Sequence, residues 1–309
     1  MIERRQFIQT AGMAAIAATT LSNQAIAYPR PEKNAVSLAT WSLVRSFRAG
    51  VWKLTDIPRI CREDFNIDGI EFVNQFFEVP TSNYLNQLNK AANDHGVKNV
   101  LIMVDQEGSM VATDQQQRKQ AVINHRKWID IAAYLNCHAI RCNAHGGVGD
   151  KIEDDADSIK RAAESFNALL DYAKEAKINV IIENHGGLSS DPRWLPKLCE
   201  AIDSPHFGLL PDYGNYREEA GIDVYKALEM AMPYAKGVSV KVQYDKDGNA
   251  QRYDIKKLLQ ISKDAGFTGF WGIECSLDPG RELKDADDIK QADWQAVKYT
   301  KRDIDAVVM

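Results

Sequence analysis

The run NVIIENHG, Asn179 to Gly186, ends an apolar stretch on a carboxylate and an imidazole, Glu183 and His185, two positions apart. On an extended chain that spacing puts both on one face. Asp212 in FGLLPDYG and Glu274 in FWGIECSL close their own apolar runs in the same way. Other runs end on Glu71, on Asp105, on Arg141, Asn143 and His145 in AIRCNAHG, and on Ser239, Lys241 and Gln243 in KGVSVKVQ. Alternation turns Val238, Val240 and Val242 one way and Ser239, Lys241 and Gln243 the other. A charge left unpaired in an interior costs several kcal/mol, so these groups need compensation. Glu183, Asp212 and Glu274, if drawn together, repel one another unless a cation lies between them. Oxygen ligands favour a hard divalent ion, Mn²⁺ or Mg²⁺, over a structural zinc.

The elements that must position these residues alternate along the chain. Eight strand candidates stand at 35–42, 69–73, 99–105, 139–146, 179–186, 207–214, 236–243 and 270–277, each bounded by Gly, Pro, Asn or Asp. Between them lie amphipathic helical stretches. TSNYLNQLNKAANDHG opens on a Thr/Ser cap and closes on Gly96; YDIKKLLQISKDAG closes on Gly266; DADSIKRAAESFNALLDYAKEAK and the last, DIKQADWQAVKYTKRDID, follow the same period. Strand and helix in alternation imply a parallel sheet, and eight such units match an α/β fold of one domain, a closed (β/α)8 TIM barrel over residues 28–309. A doubly wound open sheet is the competitor, but no Gly-rich phosphate loop follows the first strand. In a barrel the carboxyl ends of the strands share one face, where the site is built. The polar stretch from Asp105 to Gln120 follows the third strand and could lid that face. Trp128, Trp194 and Trp294 read as core, and His95, His125, His138 and His206 as surface or packing residues.

Residues 1–27 stand apart from the fold. Arg4 and Arg5, Phe7, an Ala-rich apolar stretch and the small residues Ala25 to Ala27 resemble a twin-arginine export signal cleaved near Ala27. The expectation is a folded protein passed by the twin-arginine machinery to the periplasm, without a stable membrane anchor because the apolar part is too short. The five cysteines lack paired zinc-ligand spacing and read as small buried hydrophobes. A formal net charge of -5 and no basic run argue against a nucleic-acid partner.

The segments IIENHGG, PDYGN, SVKV and GIECSL resemble the xylose-isomerase-like TIM-barrel superfamily of sugar isomerases and epimerases, which includes a branch of abasic-site endonucleases. The resemblance spans the chain after its first 27 residues. It implies a metal held by Glu, Asp, His and Glu from the fifth to eighth strands, three of which carry over to Glu183, Asp212 and Glu274. Ser239 stands where the family has the histidine, and Gln243, His185 or a water are the candidates to complete the set. The resemblance further implies that Glu183 and Glu274 act as acid and base on either side of a reacting carbon, through an enediolate. Lys241 would hold a developing oxyanion and His185 would shuttle protons. Trp41, Glu71, Arg141, Asn143, His145 and Asn215 are expected to bind a small-molecule sugar. Glu71 has a rival reading as a partner of Arg141, and His145 as a turn cap.

The leading expectation is a metal-dependent isomerase or epimerase, or a related keto-sugar lyase, acting on an unphosphorylated sugar. The alternative is a sugar-binding barrel without catalysis, suggested by the missing histidine. The endonuclease branch requires clustered histidines and a basic groove, and this chain has six histidines and a negative charge.

Overall fold

The computed structural model describes residues 33–146, 155–217 and 221–309; the expected export signal, 1–27, lies outside them. Alternating side chains sort onto two faces in every strand. In β1 (Ala35–Ala39), Val36 and Leu38 join a large apolar cluster shared with the helices, while Ala39 joins a smaller one with Leu101, Met103, Ala139, Ile181 and Leu210. The first is the shell between strands and helices. The second plugs the barrel interior.

The other strands are β2 (Gly69–Val73), β3 (Lys98–Met103), β4 (Ala139–Cys142), β5 (Asn179–Glu183), β6 (Phe207–Leu210), β7 (Val238–Tyr244) and β8 (Phe270–Leu277). All pair in parallel, in the order β6-β5-β4-β3-β2-β1-β8-β7. The two ends of that order meet through parallel bridges, Leu209 with Ala235 and Asp212 with Ser239. The sheet is thereby a closed eight-stranded (β/α)8 barrel in one domain.

Among the described residues the helices are α1 (Val44–Arg48), α2 (Ile57–Arg59), α3 (Ser82–Asp94), α4 (Gln115–Tyr134), α5 (Asp155–Ala176), α6 (Trp194–Ile202), α7 (Val224–Ala231), α8 (Ile255–Asp264) and α9 (Ala286–Val307). Capping side chains set several starts, among them the expected Thr/Ser cap of α3. Thr81 accepts from Tyr84 N at α3, and Asp254 accepts from Lys256 N and Lys257 N at α8. Gly96 and Gly266 follow those two helices at φ 62° and 75°, where a side chain is disfavoured. Trp128 and Trp194 are buried and Trp294 packs on the same core. The five cysteines are all buried and free. No described helix is long and apolar enough to cross a membrane.

Two expectations change. Several strands stop short of their expected ends: after Ala39 the chain enters a 3-10 turn (Thr40–Leu43), and β4 and β5 end at Cys142 and Glu183. Trp41 therefore stands in that 3-10 turn and Asn143, His145 and His185 on loops, so alternation does not govern their direction. The stretch after β3 begins on the site face, at Asp105 and Gln106, and then packs down onto the core. Met110 and Val111 are buried in the core, Trp128 Nε1 donates to Glu107 Oε1 at 2.6 Å, and α4 begins at Gln115.

Candidate metal centre and active site

Glu183 ends β5, Asp212 follows β6, and Glu274 lies within β8, all at the carboxyl end of the barrel. One oxygen from each lies within 4.8 Å of the others, and all three residues are buried. The seam between β6 and β7 helps to create this convergence. Asp212 and Ser239 form one of the two bridges that close the sheet, and Ser239 Oγ lies 3.0 Å from Asp212 Oδ2 and 3.3 Å from Glu274 Oε2. Asn184 then fixes the Asp212 backbone. Its Nδ2 donates to Asp212 O at 2.9 Å and its Oδ1 accepts from Asp212 N at 2.7 Å. Gly214 N donates to Asp212 Oδ1 at 2.8 Å.

Two cations offset the carboxylates. Lys241 Nζ lies 2.5 Å from Glu274 Oε1 and 3.7 Å from Asp212 Oδ2. Arg141 Nε lies 2.8 Å from Glu183 Oε2 but is not aligned to donate, so that oxygen accepts no hydrogen bond. Glu183 Oε1 accepts from Asn215 Nδ2 at 2.9 Å. Burial pushes Asp212 well above the usual carboxylate range and the neighbouring Glu183 and Glu274 add to it, against the pull of Lys241. Burial also pushes Glu274 upward, but Lys241 and Arg141 outweigh it and hold it below the ordinary value.

Beside this cluster Asp105 collects donors. Arg141 Nη1 donates to its Oδ1 at 2.7 Å, Asn143 Nδ2 to the same oxygen at 2.6 Å, and Trp41 Nε1 to Oδ2 at 3.2 Å. Burial would raise Asp105, yet Arg141 beside it holds it low. Asn74 clamps its backbone in the manner of Asn184, with Nδ2 donating to Asp105 O at 2.9 Å and Oδ1 accepting from Asp105 N at 3.0 Å. Neither asparagine stands out in the sequence, because a strand-end Asn reads equally as turn punctuation.

A cavity of about 630 Å³ opens above the cluster. Trp41, Asn143, His145, His185, Asn215, Lys241, Gln243 and Glu274 all line it. The imidazoles of His145 and His185 meet edge to face, with centroids 5.4 Å apart. Gly186 and Gly187, at φ 76° and 56°, carry the chain under His145; a Cβ on Gly187 would stand 1.6 Å from His145 O. Gln243 is exposed on the cavity wall, two residues beyond Lys241. The side chains of β7 that reach the carboxylates are Ser239 and Lys241.

Glu71 and Arg141 lie beneath the cavity, each 1% exposed. Glu71 takes its hydrogen bond from Ser37 Oγ at 2.6 Å, and Arg141 pairs with Asp105 and Glu183. Glu71 and Arg141 form no direct ion pair, though the Arg141 charge acts on Glu71 against its burial. Gly272 makes room for Glu71, since a Cβ there would stand 2.4 Å from Glu71 Oε1. Burial pushes Glu71 up to about 8, with Glu274 and Glu183 adding to the shift against the Ser37 hydrogen bond.

The fit to a divalent ion rests on the donor set: three convergent buried carboxylates, one with an oxygen that accepts no hydrogen bond and another, Glu274, on the wall of an open cavity. Such all-oxygen donors suit a hard cation. Fold and site together define a (β/α)8 barrel with a carboxylate cluster at the carboxyl ends of its strands. The chain belongs to the xylose isomerase-like TIM barrel family, whose model matches residues 62–299.

No curated protein matches the sequence at a significant level. Among solved structures, an L-ribulose 3-epimerase is similar at a TM-score of 0.67 and 13% identity, covering 89% of this chain and 94% of the other. A 3-keto-D-glucoside 4-epimerase from E. coli, in its apo form, is similar at 0.64 and 12% identity, covering 81% and 94%. A xylose isomerase-like TIM barrel protein from Mycobacterium smegmatis, in complex with magnesium, is similar at 0.56 and 13% identity, covering 87% and 97%. These likenesses are of fold.

Proposed function

We propose that this protein is a metal-dependent sugar isomerase or epimerase, acting on an unphosphorylated sugar through an enediolate. The observation that carries the proposal is the meeting of Glu183, Asp212 and Glu274 within 4.8 Å of one another, with Glu274 reaching the cavity wall. Membership of the family and the fold of the solved epimerases support it. A divalent cation, Mn²⁺ or Mg²⁺, bound by the three carboxylates would supply Lewis acidity toward the oxygens of a bound ketose.

The chain's own groups then divide the work. Glu183 and Glu274 take and return the proton at carbon. Lys241 donates to the oxygen on which charge develops, as a preorganised cation does. His185 and His145, at the cavity wall, exchange protons with hydroxyls. Trp41, Asn143 and Asn215 orient the ring. Arg141 and Glu71 act from below: Arg141 holds Glu183 and Asp105 in place, and Glu71 fills the space over Gly272. Gln243 faces the outer part of the substrate. The enediolate leads equally to a keto-sugar lyase when a leaving group stands beside it. The proposal also includes twin-arginine export of the folded protein to the periplasm, supported by Arg4, Arg5 and the Ala25–Ala27 site.

A second reading is a sugar-binding barrel without turnover. It is favoured by Lys241 lying against Glu274, which occupies one of the two proposed proton carriers. One experiment separates them. Purified protein is analysed for metal and incubated with ketoses and oxidised glycosides in D₂O. The enzyme reading expects bound divalent metal and deuterium entering carbon; metal-loaded protein that binds a sugar without any exchange or turnover supports the binding reading.

A further inference from the structure

This inference rests on the metal-dependent reading above. Three buried carboxylates already share their space with a cation of the chain itself. The Lys241 ammonium lies 2.5 Å from Glu274 Oε1 and 3.7 Å from Asp212 Oδ2, so it draws on two of the three candidate ligands. Its side chain is 32% exposed, whereas Asp212 is fully buried, so the ammonium bridges the cluster and the cavity. Ser239 bears on the same two carboxylates. A hydroxyl has one proton and donates to one acceptor at a time, so it neutralises neither carboxylate. A dication arriving at these oxygens meets a like charge a few ångströms away, a repulsion that weakens its binding.

We propose that Lys241 is a built-in counter-cation: it competes with the divalent ion for Glu274 and Asp212, weakens metal binding, and has its ammonium released toward the cavity when the ion binds. Lys241 thereby offsets part of the charge of Glu274 and Asp212 when no ion is bound, and the lysine proposed to meet substrate becomes free only in the loaded protein. Ion occupancy and lysine availability are coupled through one short ion pair.

The test uses the metal-stripped protein and Mn²⁺, with free Mn²⁺ followed by its paramagnetic resonance signal. Lys241→Met should bind Mn²⁺ about tenfold or more tightly than the unaltered protein, the expected size for removing a nearby like charge. Lys241→Arg, which keeps the charge, should stay within about twofold of it. Equal or weaker binding by Lys241→Met overturns the proposal. A second measurement needs no variant: reductive methylation of Lys241, read by peptide mass spectrometry, should run several-fold faster with Mn²⁺ present. A rate unchanged or slowed by Mn²⁺ overturns it. Absence of Mn²⁺ binding to every form removes the metal reading itself, a different result from equal binding by all.

Discussion

Glu71 carries the clearest consequence at the scale of single residues. Burial raises it to about 8, whereas an unperturbed glutamate titrates near about 4.3. Between those values the folded protein keeps a proton that the unfolded chain has lost, so this residue's contribution to stability falls as pH rises. In metal-free protein Glu71→Gln should flatten the loss from about pH 5 to about pH 8, by up to about 1.4 kcal/mol per pH unit. Urea unfolding across that range checks it, and equal pH slopes in both proteins would contradict it. Glu183→Gln and Glu274→Gln keep shape and lose basicity, so each should lower turnover by about a hundredfold or more with the far-ultraviolet spectrum unchanged. Near-normal rates in both would remove them as proton carriers. The three carboxylates are legible in the sequence because a charge closing an apolar run needs a reason. Asn184, Asn74 and Ser37 are not, because what makes them matter is the backbone or carboxylate opposite, 28, 31 and 34 positions away.

Among the elements, the strands and helices are easier to read than the joints between them. Short apolar runs bounded by turn residues locate all eight strands, the Thr/Ser cap marks the start of α3, and Gly96 and Gly266 mark two helix ends. The joints depend on three-dimensional company. The expected strand through His185 ends at Glu183 because Gly186 and Gly187 turn the chain under His145, with Leu188 N donating to His145 O at 2.9 Å. Gly187→Ala should lower the melting temperature by several degrees and impair sugar binding, since the new Cβ collides with backbone. An unchanged melting temperature would contradict that packing. Asn184→Ala strips the β6 end of two hydrogen bonds and leaves buried Asp212 groups unpaired, at a cost of about 2 kcal/mol or more. Denaturant midpoints measure it, and a loss below about 0.5 kcal/mol would show that the clamp is dispensable.

For the whole molecule, the decisive feature is where the barrel closes. The eight-unit alternation makes the closed fold legible, but not that its β6–β7 seam is joined by only a few backbone contacts, one of them Asp212 with Ser239. A cation held by Glu183, Asp212 and Glu274 would tie β5, β6 and β8 across that seam. Saturating Mn²⁺ at about a hundred times its dissociation constant should therefore stabilise the protein by about 2.7 kcal/mol, read from unfolding midpoints with and without chelator. The most direct measurement is anomalous diffraction at the manganese edge from crystals grown with Mn²⁺. One peak is expected within about 2.0–2.4 Å of an oxygen from each of Glu183, Asp212 and Glu274. A peak elsewhere, or none in crystals whose solution holds ample Mn²⁺, would contradict it.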